Sequence, residues 1–136
     1  MIVVDTNVIA YCWIKGEQTA CAHRLRRLDP DWHAPVLWRS ELRNILAGYW
    51  RDGSLSAGHV RRIMSAAEGG LSGREHHLPS LRVFDIVERS RLSAYDSEFV
   101  ALAEILDARL VTEDRAVLAA FPQRATSLEG TLRAFK

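Results

Sequence analysis

The first seven residues constrain this chain most. Ile2-Val3-Val4 is an unbroken β-branched run, and it gives way at once to Asp5-Thr6-Asn7, side chains that open helices. This pattern predicts a buried strand feeding a helix. Val8, Ile9, Cys12 and Trp13 then share one helical face, with a stop expected near Gly16. Cys21, Leu25 and Leu28 mark a second helix ended by Asp29-Pro30. His33 to Leu37, between prolines and ahead of another helix, reads as a second strand. The clearest helix runs from Trp38 to Trp50, where Trp38, Leu42, Ile45, Leu46 and Tyr49 form one stripe.

Further along, Ser56 to Glu68 reads as a helix and Gly69 to Pro79 as a loop. Leu81, Phe84, Val87 and Leu92 suggest a helix from Ser80 that ends at Ser93-Ala94-Tyr95. Asp96 opens the next, with Phe99, Leu102, Ala103 and Leu106 at helical period. Arg109 to Thr112 is expected as a strand and Ala116 to Phe121 as a short helix before Pro122. Strands alternating with helices predict an α/β fold with a mostly parallel sheet covered on both faces.

With 136 residues, 48% hydrophobic and 26% charged, the chain is expected to form a single domain over 1–136. No apolar run exceeds five residues, against about 20 for a membrane span. The N-terminus lacks a basic region and meets a carboxylate at its fifth residue, so a cytoplasmic location is expected. Cys12 and Cys21 lack metal-ligand spacing and read as reduced core residues. The 18 basic and 17 acidic side chains nearly cancel, and only Lys15 and Lys136 are lysines.

In open α/β sheets, functional groups gather beyond the carboxyl ends of the strands. Asp5 and Asp114 fall there, Asp96 opens a helix, and Glu41 flanks the Trp38 stripe about 40° from Ile45 on a 3.6-residue wheel. Each has a simpler reading. Asp96 fits a capping box begun by Ser93, Asp114 fits an N-cap, and Glu41 fits a surface pair with Arg39 or Arg43. Asp5, at the end of a buried strand, is costly without a partner. Were the four to converge, one pair at 4 Å and an effective dielectric near 20 would cost about 4 kcal/mol. A divalent cation is the economical counter-charge, and an all-oxygen set suits Mg²⁺ or Mn²⁺ over zinc. Such centres activate water and hold phosphate oxygens for phosphodiester cleavage.

Four blocks carry a family likeness: Val3 to Ile9, Ser40-Glu41-Leu42-Arg43-Asn44, Ser93-Ala94-Tyr95-Asp96 with Phe99 to Ala103, and Leu110-Val111-Thr112-Glu113-Asp114. In this order, with 36, 55 and 18 residues between successive acids, they resemble the PIN-domain family, and within it the VapC-type toxins of bacterial toxin-antitoxin pairs. The resemblance implies a PIN-like three-layer α/β/α sandwich with a short, mostly parallel sheet. It implies an endoribonuclease dependent on Mg²⁺ (or Mn²⁺), with Asp5, Glu41, Asp96 and Asp114 as catalytic metal-binding acids. Thr6, Asn7 and Thr112 become supporting polar residues. An RNA substrate, a cognate antitoxin protein and a homodimer are the implied partners.

Glu98, about 200° from Asp96 on the wheel, is expected to face away, and Glu113 to be exposed. His76-His77 reads as a solvated pair in a loop, and His23, His33 and His59 as isolated. The chain lacks a nucleotide-binding glycine motif. Trp13, Trp32, Trp38, Trp50, Tyr11 and Tyr49 crowd the first 50 residues, more aromatic area than a small core easily buries, which points to an interface for the partner protein. Two other functions compete. A housekeeping PIN nuclease would need no antitoxin, and a Mg²⁺-binding phosphoacceptor domain would need a lysine after a late strand, where neither Lys15 nor Lys136 lies.

Overall fold

The computed structural model describes residues 1–135; Lys136 lies outside them. Five strands, β1 (Ile2–Val4), β2 (Trp32–Pro35), β3 (Glu75–His76), β4 (Arg109–Val111) and β5 (Ala125–Thr126), form one sheet in the order β3-β2-β1-β4-β5. Every pairing is parallel, with Val3 opposite both His33 and Leu110. Eight helices connect them among the described residues: α1 (Thr6–Trp13), α2 (Thr19–Leu28), α3 (Leu37–Arg51), α4 (Ala57–Gly70), α5 (Ser80–Glu88), α6 (Ala94–Leu106), α7 (Arg115–Ala120) and α8 (Leu128–Arg133).

The central strand is buried on both faces, as its composition requires. Ile2 and Val4 join a core with Leu25, Trp38, Leu42, Ile63 and Leu128, from α2, α3, α4 and α8. Val3 points the other way, to Val83, Ile86, Phe99, Leu102 and Val117 of α5, α6 and α7. This division yields the α/β/α layering. The order leaves β1 in one direction through β2 and β3, then returns to β1's other side at β4. The switch point therefore lies between β1 and β4, where a parallel sheet opens a crevice at its carboxyl edge.

Several expectations are corrected. The second strand is Trp32–Pro35, because Val36 and Leu37 already turn into α3. The expected loop over Arg74 to Pro79 contains β3, whose two residues are recruited by β2. The helix from Ser80 ends at Glu88, well before Leu92. Ser93 caps α6 rather than closing the preceding helix, since its Oγ accepts the Asp96 N–H at 3.0 Å. Beyond Phe121 the chain adds β5 and α8.

The aromatic crowding resolves unevenly. Trp32 and Trp38 are buried, Trp13 packs on the core edge, and Tyr49 and Trp50 are exposed. Cys12 is buried and Cys21 partly so, both unpaired. Among the described residues, no helix is long and apolar enough to cross a membrane.

Arg39 ties β3 to the helical layer. Its guanidinium donates to Glu75 Oε1 at 2.6 Å and Oε2 at 2.8 Å, and to Glu68 Oε2 at 2.6 Å. Trp38 Nε1 adds a 2.7 Å bond to the same Glu75 carboxylate. Arg39 is thereby committed elsewhere, and no ion pair with Glu41 forms.

Candidate functional site

At the switch point the carboxyl ends of β1 and β4 open into a hollow of about 240 Å³. Asp5, Glu41, Asp96 and Asp114 all line it, together with Thr6, Asn7 and Thr112. The four acids come from four elements: Asp5 and Asp114 follow the strands β1 and β4, and Glu41 and Asp96 are brought in by the helices α3 and α6.

Asp5 ends β1 and caps α1: its Oδ1 accepts the Val8 N–H at 3.0 Å, and its Oδ2 accepts the Thr112 hydroxyl. Thr112 Oγ1 in turn accepts the Asp114 N–H at 3.0 Å, so one buried hydroxyl links the ends of the two central strands. Burial pushes the Asp5 pKa up from 3.8 to about 6; the bonds from Thr112 and Val8 oppose the shift, and the nearby charges of Glu113 and Asp114 add to it. The carboxyl lies deep in protein mass although part of the residue still faces the hollow.

Asp114 caps α7, accepting the Val117 N–H at 3.0 Å. The capping reading therefore holds for Asp114, and the same residue lines the hollow. Glu41 sits in the second turn of α3 and accepts the Thr6 hydroxyl at 2.6 Å. Desolvation raises its pKa, Thr6 restrains the rise, and the Asp96 charge adds to it. Asp96 is raised by desolvation and then by Asp114. These mutual influences make the four carboxylates one electrostatic unit.

Nothing cationic balances it. Among the described residues, no Lys or Arg lies within 4.0 Å of any of the four. Nor do three His, Cys, Asp or Glu side chains close into a compact metal cage among those residues. An open, all-carboxylate donor set without a counter-ion fits a hard divalent cation that keeps several waters, and fits zinc poorly.

Asn44 also lines the hollow, three residues from Glu41 on the same helix face, a position the i, i+3 spacing could have flagged. Glu98 faces away from the hollow, as its wheel angle requires, but it is half-buried in an adjoining groove and senses the Glu41 charge. Glu113 is tied down as well: its Oε1 accepts the Leu128 N–H at 2.9 Å and joins the end of β4 to α8. His33 and His76 are not isolated either, since their ring nitrogens Nδ1 and Nε2 meet at 2.9 Å.

Solved structures that share the fold include the following three. PAE2754 from Pyrobaculum aerophilum superposes with a TM-score of 0.75 at 23% identity, over 98% of this chain and 94% of that one. FitAcB from Neisseria gonorrhoeae gives 0.74 at 19%, over 95% and 99%. A toxin-antitoxin complex from Klebsiella pneumoniae gives 0.69 at 14%, over 94% and 98%. Against curated protein sequences the chain has no significant match. The sequence profile of the PIN domain matches residues 2–122, which include all four acids and all the strands as far as β4. The chain therefore belongs to the PIN domain family.

Proposed function

We propose that this protein is a divalent-cation-dependent endoribonuclease acting as the toxin of a toxin-antitoxin pair. Membership of the PIN family, a family of nucleases, supports a hydrolase acting on nucleic acid. The observation that carries the finer reading is the convergence of Asp5, Glu41, Asp96 and Asp114 in one hollow without a cation beside them. Left unfilled, that arrangement is self-repulsive; filled by Mg²⁺ or Mn²⁺, it faces a phosphodiester with positive charge. A bound cation of this kind supplies charge neutralisation and a more acidic water.

The chain's own residues do the rest. Thr112 fixes the Asp5 carboxylate through Oδ2 while Val8 N–H fixes Oδ1, so its orientation is set before any ligand arrives. Thr6 does the same for Glu41. With its pKa near 6, Asp5 is ionised at neutral pH, ready to bind a cation without first shedding a proton.

The proposed protein partner is a small antitoxin. A groove of about 520 Å³ between α1 and α3, lined by Tyr11, Ile14, Ile45 and Tyr49, runs into the hollow through the shared residues Asn7 and Ile45. A helix or extended arm laid there would bring an Arg to the carboxylates, satisfying the acids in place of metal. Two of the solved neighbours are described as FitAB bound to a DNA fragment and as a toxin-antitoxin complex. A second copy of the chain completes the proposed assembly and is tested by sedimentation.

The phosphoacceptor alternative lacks its lysine: Lys15 follows α1, and Lys136 lies outside the described residues. The deciding experiment incubates purified protein with an RNA panel. Cleavage lost in EDTA and restored by Mg²⁺ or Mn²⁺ but not by Ca²⁺ is expected, and full cleavage in EDTA would overturn the reading. Expression of the wild type should arrest growth while Asp5→Asn does not, and the tagged variant should retrieve a small protein from its native cell. A harmless active enzyme without a partner would mark a housekeeping nuclease.

A further inference from the structure

A second groove, of about 440 Å³, lies against the catalytic hollow on the α5 and α6 side of the sheet. Its size is that of an ordinary small-molecule site. The two cavities are lined by different residues of the same two helices. The start of α3 gives Leu37 to the groove and Glu41 to the hollow, and the first turns of α6 give Ala94 and Glu98 to the groove and Asp96 to the hollow. The Glu41 charge in the hollow is felt by Glu98 in the groove.

The groove's polar side chains are those of His76, His77, Ser80 and Glu98. His33 Nε2 meets Asp31 Oδ1 at 2.9 Å. His76 Nε2 lies 2.9 Å from His33 Nδ1. His76 lines the groove, and its Nδ1 has no partner among the described residues. Burial and the neighbouring His33 hold His76 below its usual pKa and so favour the neutral ring. Glu98 adds a carboxylate that receives no hydrogen bond or cation from the described residues. Phe84, 59% exposed, supplies an aromatic face, and Leu37 and Leu78 an apolar floor.

The Glu98 carboxylate disfavours a phosphate. Glu98 carries charge beside Glu41, and an anion would meet both. An unpartnered carboxylate in one groove with an exposed aromatic ring suits a flat, neutral ligand with N–H donors. Sequence-specific RNA recognition works with such groups, through unpaired bases splayed from the strand, stacked on aromatics and read along their edges. Among the bases, guanine presents adjacent N1–H and N2–H donors, the pair a carboxylate accepts in bidentate fashion.

We propose that this groove is a guanine subsite, which takes an unpaired guanine next to the scissile phosphate, with Glu98 accepting N1–H and N2–H and Phe84 stacking on the ring. It rests on the nuclease reading for the identity of the strand, though the groove can be tested without cleavage. Guanosine and inosine, which lacks the N2 amino group, are titrated separately into metal-free wild-type protein while the His76 and His77 imidazole resonances are followed by NMR. Guanosine should shift them and bind at least about tenfold more tightly than inosine, the usual scale for a hydrogen bond to a charged group. In Glu98→Gln that ratio should fall toward one, and Phe84→Ala should weaken both nucleosides.

In Mg²⁺, RNAs differing only by guanosine or inosine beside the cleaved bond should show the same ratio, again narrowed by Glu98→Gln. Selective nucleoside binding without RNA cleavage would sink the nuclease reading and leave the subsite standing. Cleavage indifferent to guanosine or to Glu98 would sink the subsite alone. A Phe84→Ala change that alters sedimentation and not nucleoside binding would assign this face to a second copy of the chain and overturn the proposal.

Discussion

Replacing Asp5 by Asn should make the metal-free protein more stable at neutral pH while abolishing its activity. The rise of the Asp5 pKa from 3.8 to about 6 means that the folded state binds this proton more tightly than the unfolded chain does. That preference stabilises the fold below the unfolded value, fades as pH climbs toward 6, and is gone above it, a difference of about 3 kcal/mol. At about pH 7.5 the wild type carries the whole cost of its buried charge, and Asn does not. Asn keeps one acceptor oxygen for either Val8 N–H or the Thr112 hydroxyl and loses the other bond, an offset of about 1 kcal/mol. The expected net gain is about 2 kcal/mol near pH 7.5, shrinking to nearly nothing near pH 4.5, where the wild type regains its proton. Urea unfolding in EDTA at the two pH values reads this as a midpoint shift at constant slope. Adding Mg²⁺ should invert the order, because a cation at 100 times its Kd stabilises only the chain that binds it, by about 2.7 kcal/mol. A variant less stable than wild type at neutral pH without metal, or a difference indifferent to pH, would refute the account of Asp5 as a desolvated, uncompensated acid.

Thr112→Val removes the hydroxyl that serves both Asp5 Oδ2 and the Asp114 N–H, and should cost about 1–3 kcal/mol in urea unfolding, with cleavage slowed. Thr112→Ser should recover most of both. Arg39→Ala leaves Glu75 and Glu68 without their shared cation and should cost about 1–3 kcal/mol, with the cleavage rate per folded molecule unchanged because Arg39 does not line the hollow. The Arg39 hydrogen bond holds the Glu75 pKa below its usual value, so that loss should be present at neutral pH and vanish in acid as Glu75 takes up its proton.

The strands and helices that could be read from the sequence are those long or apolar enough to carry a period. β1 is continuously apolar, α3 repeats its stripe over four turns, and the first turn of α6 announces itself through Ser93 and Asp96. β3 could not be read. Two residues carry no period, and Glu75 and His76 become a strand only because Ala34 and Pro35 lie alongside and Arg39 grips Glu75. α8 did leave a signal, a Ser127 cap ahead of Leu128 and Leu132 one turn apart, behind the break at Pro122. The convergence of the acids was legible because each stands at a strand end or an early helix turn. The partnerships that tune them were not, since Thr112 meets Asp5 across 107 residues and His76 meets His33 across 43.

That 107-residue separation also sets a clock on biosynthesis. At about 5–20 residues per second, roughly 5–20 s separate the polymerisation of Asp5 from that of Thr112. The growing polypeptide spends this interval with β1 made and its neighbour β4 still untranslated. No partial product that ends before Asp114 holds all four acids, so the hollow is complete only once β4 and the cap of α7 have both been made. A fragment terminated before Asp114 therefore lacks part of the acidic set.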